Sequence, residues 1–307
     1  MFYQGALHTI VIASQGIAYN NCPMRNLLLK SYAKINICLN VVNKRPDGYH
    51  ELDMIMLPLE LHDSILFSEL KNASDHFVTI DDFSLGLFKY NIATSAIEKM
   101  QSIYHFTNKF RITIHKVIPM QSGLGGGSSN AATVINAVNQ YLKLNLPYEE
   151  LISISTGLGA DIPFFISNKP ARCRGIGEKI DFINVKNDYH VLIVKPDKGC
   201  STQGIYEISD KMELPQGDVE LVKKALEEGD DKLLADSIFN ALEGPAISAV
   251  PEIQVIKDKL KMMGLEIVLM SGSGSSVFAL STDRKKIKEA AKALENEYLV
   301  EVTKILK

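Results

Sequence analysis

Between residues 119 and 132 the chain reads Pro119-Met120-Gln121-Ser122-Gly123-Leu124-Gly125-Gly126-Gly127-Ser128-Ser129-Asn130-Ala131-Ala132. Four of the five residues from Gly123 to Gly127 lack a β-carbon, so the backbone there can turn tightly, adopt positive φ and approach a bulky anion. A β-alternating run from Arg111 to Ile118 leads into this stretch. Apolar residues at 131, 134, 135, 138 and 142 predict an amphipathic helix from Ser129 to about Leu142 directly after it. The first turn of such a helix has free N–H groups and the positive end of the helix dipole facing the loop. Strand, glycine turn and helix start together predict a phosphate cradle. A flexible glycine linker would leave the flanking strand and helix patterns without a reason.

Two common nucleotide loops are excluded. A Walker loop ends in Gly-Lys-Ser/Thr, whereas Gly127 is followed by Ser128 and Ser129. A Rossmann fingerprint starting at Gly123 needs Gly or Ala at 128, and one starting at Gly125 needs it at 130. Ser128 and Asn130 stand there, and Lys143 occupies the place about twenty residues on where an acid should lie.

The rest of the chain limits what such a cradle could hold. Its 307 residues exceed what one compact core usually supports, so two domains are expected. Apolar content of 46% and charged content of 22% are ordinary for a globular chain. With 33 Lys and Arg against 36 Asp and Glu the formal net charge is -3, and neither sign forms a long block, which argues against a nucleic-acid partner. An anionic ligand must then be held by a local arrangement. Cys22, Cys38, Cys173 and Cys200 show no Cys-X-X-Cys or Cys/His metal spacing; scattered reduced thiols in a cytoplasm are the simplest reading, with Cys38 a small buried hydrophobe. No lysine or arginine precedes Arg25, and the apolar run from Leu7 to Ala13 is too short to span a bilayer. Residues 1–23 are therefore expected to be an N-terminal extension, with translation naturally starting at Met24. A cytoplasmic protein with no membrane partner is expected.

Strands are predicted over Leu27–Val42, Met54–Leu59, Ser64–Glu69, Phe77–Ile80 and Arg111–Ile118, with a turn at Arg45-Pro46-Asp47-Gly48 and a helix over Ile92–Ile103. A short helix near Tyr148–Thr156 and β-runs at Pro163–Ser167 and Arg172–Ile176 follow. After a polar boundary at Asn184–Asp188 come a strand, Tyr189–Val194, and helices at Gln216–Glu228, Asp230–Leu242 and Glu252–Met263, the last ended by Gly264. A strand pair, Leu265–Met270 and Ser276–Leu280, flanks a Ser-Gly-Ser-Gly turn; a helix to about Asn296 and a final strand close the chain. The pattern predicts an α+β protein with helices against a sheet, divided into 24–186 and 187–307.

The glycine stretch resembles the second signature of the GHMP kinases, named for galactokinase, homoserine kinase, mevalonate kinase and phosphomevalonate kinase. Ala33-Lys34-Ile35-Asn36, followed by Arg45-Pro46-Asp47-Gly48-Tyr49-His50-Glu51-Leu52, resembles the first signature, and Ser271-Gly272-Ser273-Gly274-Ser275-Ser276 the third. The resemblance runs from about Met24 to the C-terminus. It implies a two-domain fold, the N-terminal half like ribosomal protein S5 domain 2 and the C-terminal half ferredoxin-like, with helices on an antiparallel sheet. Asp47-Gly48-Tyr49-His50 and Gly159-Ala160-Asp161-Ile162-Pro163 are similar to the members that act on a cytidine-diphosphate-linked sugar alcohol of the non-mevalonate isoprenoid route. ATP and Mg2+ are implied, with the γ-phosphoryl passing to the 2-hydroxyl of that small molecule. A homoserine or mevalonate-type kinase, or a nucleotide-binding module without catalysis, are the alternatives, and the number of copies is left open.

Residue roles follow in the same terms. The backbone from Pro119 through Met120, Gln121, Ser122, Gly123, Leu124, Gly125, Gly126, Gly127 and Ser128 to Ser129 would hold the nucleotide. Ser128 or Ser129 could add a hydroxyl to a phosphate or to Mg2+, though Ser129 equally suits a helix N-cap. Asp161 is a lone charge in an apolar stretch: by itself a cap or a perturbed carboxylate, by resemblance the proton acceptor. Lys34 alone fits the solvated face of a strand; the resemblance sets it beside the catalytic acid, with Asn36 on the same strand face. Tyr49 and His50 could be an edge tyrosine and a surface histidine, but the resemblance gives them the cytosine ring, with Tyr206 as a second aromatic. It gives Asn91 and Lys116 the adenine, although Lys116 also reads as an exposed strand residue. Gly272 and Gly274 suit a hairpin or, by resemblance, the lining of the phosphate and sugar region.

Overall fold

The structure is a computed structural model and describes residues 10–13, 16–19, 26–81 and 91–307. The chain begins with β1 (Ile10–Ala13) and β2 (Gly16–Tyr19), then two long strands, β3 (Leu27–Lys44) and β4 (His50–Leu70), and β5 (Phe77–Asp81). Next come α1 (Ile92–Tyr104), β6 (Lys109–His115), α2 (Gly126–Leu142), α3 (Tyr148–Ser155), α4 (Ile162–Ser167), β7 (Ala171–Gly175) and β8 (Lys179–Phe182). The remainder contains β9 (His190–Lys195), α5 (Thr202–Ser209), α6 (Val219–Glu228), α7 (Asp231–Ser237), β10 (Phe239–Asn240), α8 (Glu243–Ala249) and α9 (Glu252–Met262). It ends with β11 (Ile267–Met270), β12 (Val277–Ser281), α10 (Arg284–Leu294) and β13 (Leu299–Lys304).

These elements form two compact units. The first holds the described residues up to Ser31, then 62–117 and 127–162; the second holds 32–61, 118–126 and 163–307. In the first, β1 and β2 pair antiparallel within the expected extension, the end of β4 pairs antiparallel with β6, and β5 runs parallel to β6. The proposed start residue Met24 lies outside the described residues. α2 packs through Tyr141 against Phe67 of β4 and Phe110 of β6, whose own rings stack at 4.6 Å. Its apolar residues Ala131, Val134, Ile135 and Val138 are buried. Each fully buried valine or isoleucine stabilises by about 1.5–3 kcal/mol, so this helix is held by packing far more than by propensity.

In the second unit a four-stranded antiparallel sheet, in the order β11-β12-β9-β13, carries α10 on its central and edge strands, and α9 packs against β11 and β12. β4 pairs there with β7, β7 with β8, and β10 runs parallel to β3 through Phe239 and Cys38. Cys38, Cys173 and Cys200 are buried free thiols, and burial pushes the Cys38 thiol well above its ordinary value.

Several expectations need correction. Pro163–Ser167 is helix α4, not a strand; a short apolar run has no period to tell the two apart, and Pro163 is tolerated in a first turn. Met54–Leu59 and Ser64–Glu69 belong to one strand, because the polar residues between them continue the ladder and do not turn. The helix expected over Asp230–Leu242 ends at Ser237, since Ile238 turns extended and delivers Phe239 to β3. Helices α5 and α8 were not anticipated.

Candidate active site

In the second unit, three distant pieces of sequence converge. The Lys34 N–H donates to Leu124 O at 3.0 Å, and the Ser276 N–H donates to Ser122 O at 3.1 Å. Ser271 joins the pieces: its hydroxyl donates to Gly123 O at 3.0 Å and accepts from the Asn36 N–H at 3.3 Å. Gly123 has φ +75°, and a β-carbon on it would lie 1.9 Å from Ser271 O. Only glycine allows this approach, which accounts for the Gly123 of the motif. Gly125, at φ +73°, presents its Cα to Phe165 of α4 and to the Lys34 stem.

Lys34 is 3% exposed, so the solvated-face reading is wrong; its Nζ donates to Asn36 Oδ1 at 2.6 Å, both residues lying on one face of β3. The third motif adds two hydroxyls, Ser275 and Ser276, that are buried and have no hydrogen-bond partner among the described residues. Buried hydroxyls are normally satisfied, so this pair fits a site built for a polar ligand.

In the first unit α2 begins at Gly126, three residues earlier than expected, so that two glycines open its first turn. Ser129 is therefore not an N-cap; it is buried and accepts from the Ser31 hydroxyl at 2.9 Å. Ser128 stays partly exposed. Asn130 donates to Ser31 Oγ at 2.8 Å and to Asp63 Oδ2 at 2.9 Å, and Lys116 Nζ lies 2.5 Å from the same Asp63 oxygen. The other Asp63 oxygen accepts from the Val117 N–H at 2.8 Å. Lys116 is thus no exposed strand residue: it belongs to a buried polar network around an acid that sequence reasoning passed over. Asn91 caps α1, accepting from the Ala93 N–H at 3.0 Å. Asp161 is half-buried in the turn from Gly159 to Ile162, which is closed by a 3.2 Å backbone hydrogen bond and leads into α4.

Tyr49, His50 and Tyr206, expected at the cytosine, gather in the second unit at the end of the long β3–β4 hairpin. Its turn is closed by the Gly48 N–H to Arg45 O at 3.1 Å, and Asp47 Oδ1 accepts from the Tyr49 N–H at 3.1 Å. Tyr49 projects outward, 51% exposed. His50 stacks on Tyr206 with ring centres 4.6 Å apart and 23° between planes. Tyr206 sits on helix α5. Its helix also ends in Asp210, which the sequence reading did not single out and which meets His50 Nε2 at 2.7 Å. The i, i+4 spacing from Tyr206 to Asp210 was the available signal.

Among the described residues no group of three or more His, Cys, Asp or Glu could hold a metal, and no helix is long and apolar enough to cross a membrane.

Residues 91–169 match the GHMP kinases N terminal domain and residues 222–300 the GHMP kinases C terminal domain. A 4-diphosphocytidyl-2-C-methyl-D-erythritol kinase of Caldicellulosiruptor bescii is 34% identical over 87% of this chain and 93% of its own. One of Bacillus velezensis is 35% identical over 85% of this chain and 90% of its own. A crystal structure of 4-(cytidine 5'-diphospho)-2C-methyl-D-erythritol kinase superposes with a TM-score of 0.75 at 29% identity, covering 91% of this chain and 99% of that one. A homoserine kinase from Cytophaga hutchinsonii shares the fold, with a TM-score of 0.68 at 16% identity over 90% and 94% of the two chains.

Proposed function

The chain belongs to the GHMP kinases, in the family of 4-diphosphocytidyl-2-C-methyl-D-erythritol kinases, and from that premise we propose that it transfers the γ-phosphoryl of ATP to the 2-hydroxyl of 4-diphosphocytidyl-2-C-methyl-D-erythritol. The observation that carries the reading is the hydrogen-bonded junction of Lys34–Asn36, the glycine turn and the Ser271–Ser276 turn. It ties the segment that resembles an acceptor site to the one that resembles a phosphate cradle.

Phosphoryl transfer asks a protein for positioning and charge neutralisation more than for covalent chemistry. In the proposed mechanism the N–H groups of the glycine turn and of the first turn of α2 hold the phosphates. Asp161 accepts the proton of the attacking hydroxyl, and Lys34, oriented by Asn36, polarises that hydroxyl. Mg2+ commonly needs only one or two protein ligands beside the phosphates, and the Ser128 hydroxyl suits that part; when bound the ion neutralises phosphate charge. Ser129 serves through the Ser31–Asn130 network. Asn91 and Lys116 border the adenine, Lys116 offering its aliphatic stem because Asp63 occupies its ammonium. Tyr49, His50 and Tyr206 take the cytosine, while Gly272 and Gly274 line the sugar and phosphate side.

An aromatic cluster of this kind has no partner in a small aliphatic alcohol, which is what separates this reading from a homoserine or mevalonate kinase. The test is a coupled ADP-release assay with the cytidine substrate, homoserine and mevalonate in parallel. Turnover with the cytidine substrate alone is expected; phosphorylation of only an aliphatic alcohol overturns the substrate while leaving the fold.

A further inference from the structure

We infer that Asp210 is a positioning residue that makes His50 selective for cytosine over uracil by fixing which ring nitrogen carries the proton; the inference rests on the function proposed above. Tyr206 and Asp210 project from one face of α5 and grip the same ring differently. Tyr206 covers its face, and the Asp210 carboxylate meets its edge, Nε2 to Oδ1 at 2.7 Å. Lys44 Nζ holds the other carboxylate oxygen at 2.5 Å, so the acid cannot rotate away from His50 without losing an ion pair. Lys44 first and His50 second hold the Asp210 carboxyl below its ordinary range, so at neutral pH it is an anion.

A carboxylate accepts hydrogen bonds and cannot donate them, so His50 Nε2 must carry a proton. In the neutral ring Nδ1 is then a bare lone pair, and it makes no hydrogen bond among the described residues. A lone pair there suits the 4-amino group of cytosine, which donates. It opposes the 4-carbonyl of uracil, which accepts. The His50 side chain is only 10% exposed, so water is poorly placed to repair the mismatch.

The experiment compares the cytidine- and uridine-diphosphate forms of the substrate with wild type, Asp210→Ala and Asp210→Asn, and reads the His50 ring tautomer by 15N NMR in each. Wild type is expected to favour the cytidine form about 10- to 100-fold in kcat/KM, the scale of one mismatched buried polar contact. In Asp210→Ala the KM for the cytidine form should rise about tenfold through loss of a charge-assisted hydrogen bond. The KM for ATP should move by less than about twofold and the base preference should shrink to about threefold or less, as one lost contact implies. Asp210→Asn keeps the side chain's shape but can donate to Nε2; it should shift the proton to Nδ1 and abolish or invert the preference, even if the alanine variant folds poorly. Wild-type preference and the Nε2–H tautomer both retained in Asp210→Asn would overturn the inference alone. A wild type that never phosphorylates the cytidine form would overturn the proposed function, and this inference with it.

Discussion

Asp63 and Asp210 each hold a lysine at 2.5 Å, yet they lie at opposite ends of what an ion pair can do. Asp63 is fully buried and its Lys116 side chain is 9% exposed; Asp210 is 27% exposed and its Lys44 55%. Around Asp63 an ammonium, an amide and a backbone N–H all donate to its oxygens. Around Asp210 one partner is a histidine whose other ring nitrogen, Nδ1, makes no hydrogen bond among the described residues. Burial makes the first pair a fixture of the fold, whereas partial exposure leaves the second within reach of solvent and of a ligand. The same pairing of acid and lysine is fixed structure in one place and, on the inference drawn above, selectivity in the other, and the local dielectric separates the two.

The largest effect should come from Asp63→Ala, which strands the Lys116 ammonium in a buried position. Removing one partner of such a pair costs about 3–5 kcal/mol, measured as unfolding free energy in denaturant. A loss below about 1 kcal/mol, the usual value of an exposed pair, would erase the contrast. Asp161→Asn sharpens it from another side, since a carboxylate that does chemistry should behave like neither pair. Turnover is expected to fall at least about a hundredfold with ATP affinity and stability retained, as kinetics, calorimetry and melting would report. Tyr49→Ala, beside the exposed cluster, should raise the KM for the cytidine substrate about tenfold, within the range of one base-stacking contact, and leave that for ATP nearly unchanged. The opposite pattern would move the base elsewhere.

The smallest effect is in the acid limb of stability. The Asp210 carboxyl is lowered in the folded chain by Lys44 and then His50, so its contribution is fully present above the ordinary carboxylate pKa of about 3.9 and fades as pH falls through the lower folded value. The melting temperatures of wild type and Asp210→Asn should therefore differ slightly at neutral pH and converge below about pH 4. A difference that closes already near pH 6 would assign the effect to another group.

Much of the molecule could be read from residue order. Helices α1 and α2, the β11–β12 pair and the stop at Gly264, which adopts φ +80°, were all marked by period or by turn residues. Local pattern failed where a distant partner made the decision. Pro163–Ser167 is apolar either way, and its helical form depends on what Phe164 and Phe165 pack against. Strand β4 runs through Glu60–Asp63 because Asp63 finds Lys116 and Asn130 at separations of 53 and 67 residues. Lys34 looked solvated because its surroundings, Leu124 and the Ser271 turn, arrive from far along the chain. The three motifs marked the segments that hydrogen bonds bring together; Asp63 and Asp210, which organise the lysines and the histidine around them, carry no motif.

The route of the chain through its two units has a consequence for synthesis. The chain enters the first unit three times and the second three times, alternating at residues 31, 61, 117, 126 and 162. No single cut releases either one whole. On a ribosome the first unit lacks its last strip until residue 162 has emerged, while the hydrogen bonds that β3 and the glycine turn make to Ser271 must wait until that residue has emerged. The junction of β3, the glycine turn and the Ser271 turn is thus among the last parts of the protein to form, and on the function proposed above a nascent chain short of that turn should bind ATP more weakly than the full chain.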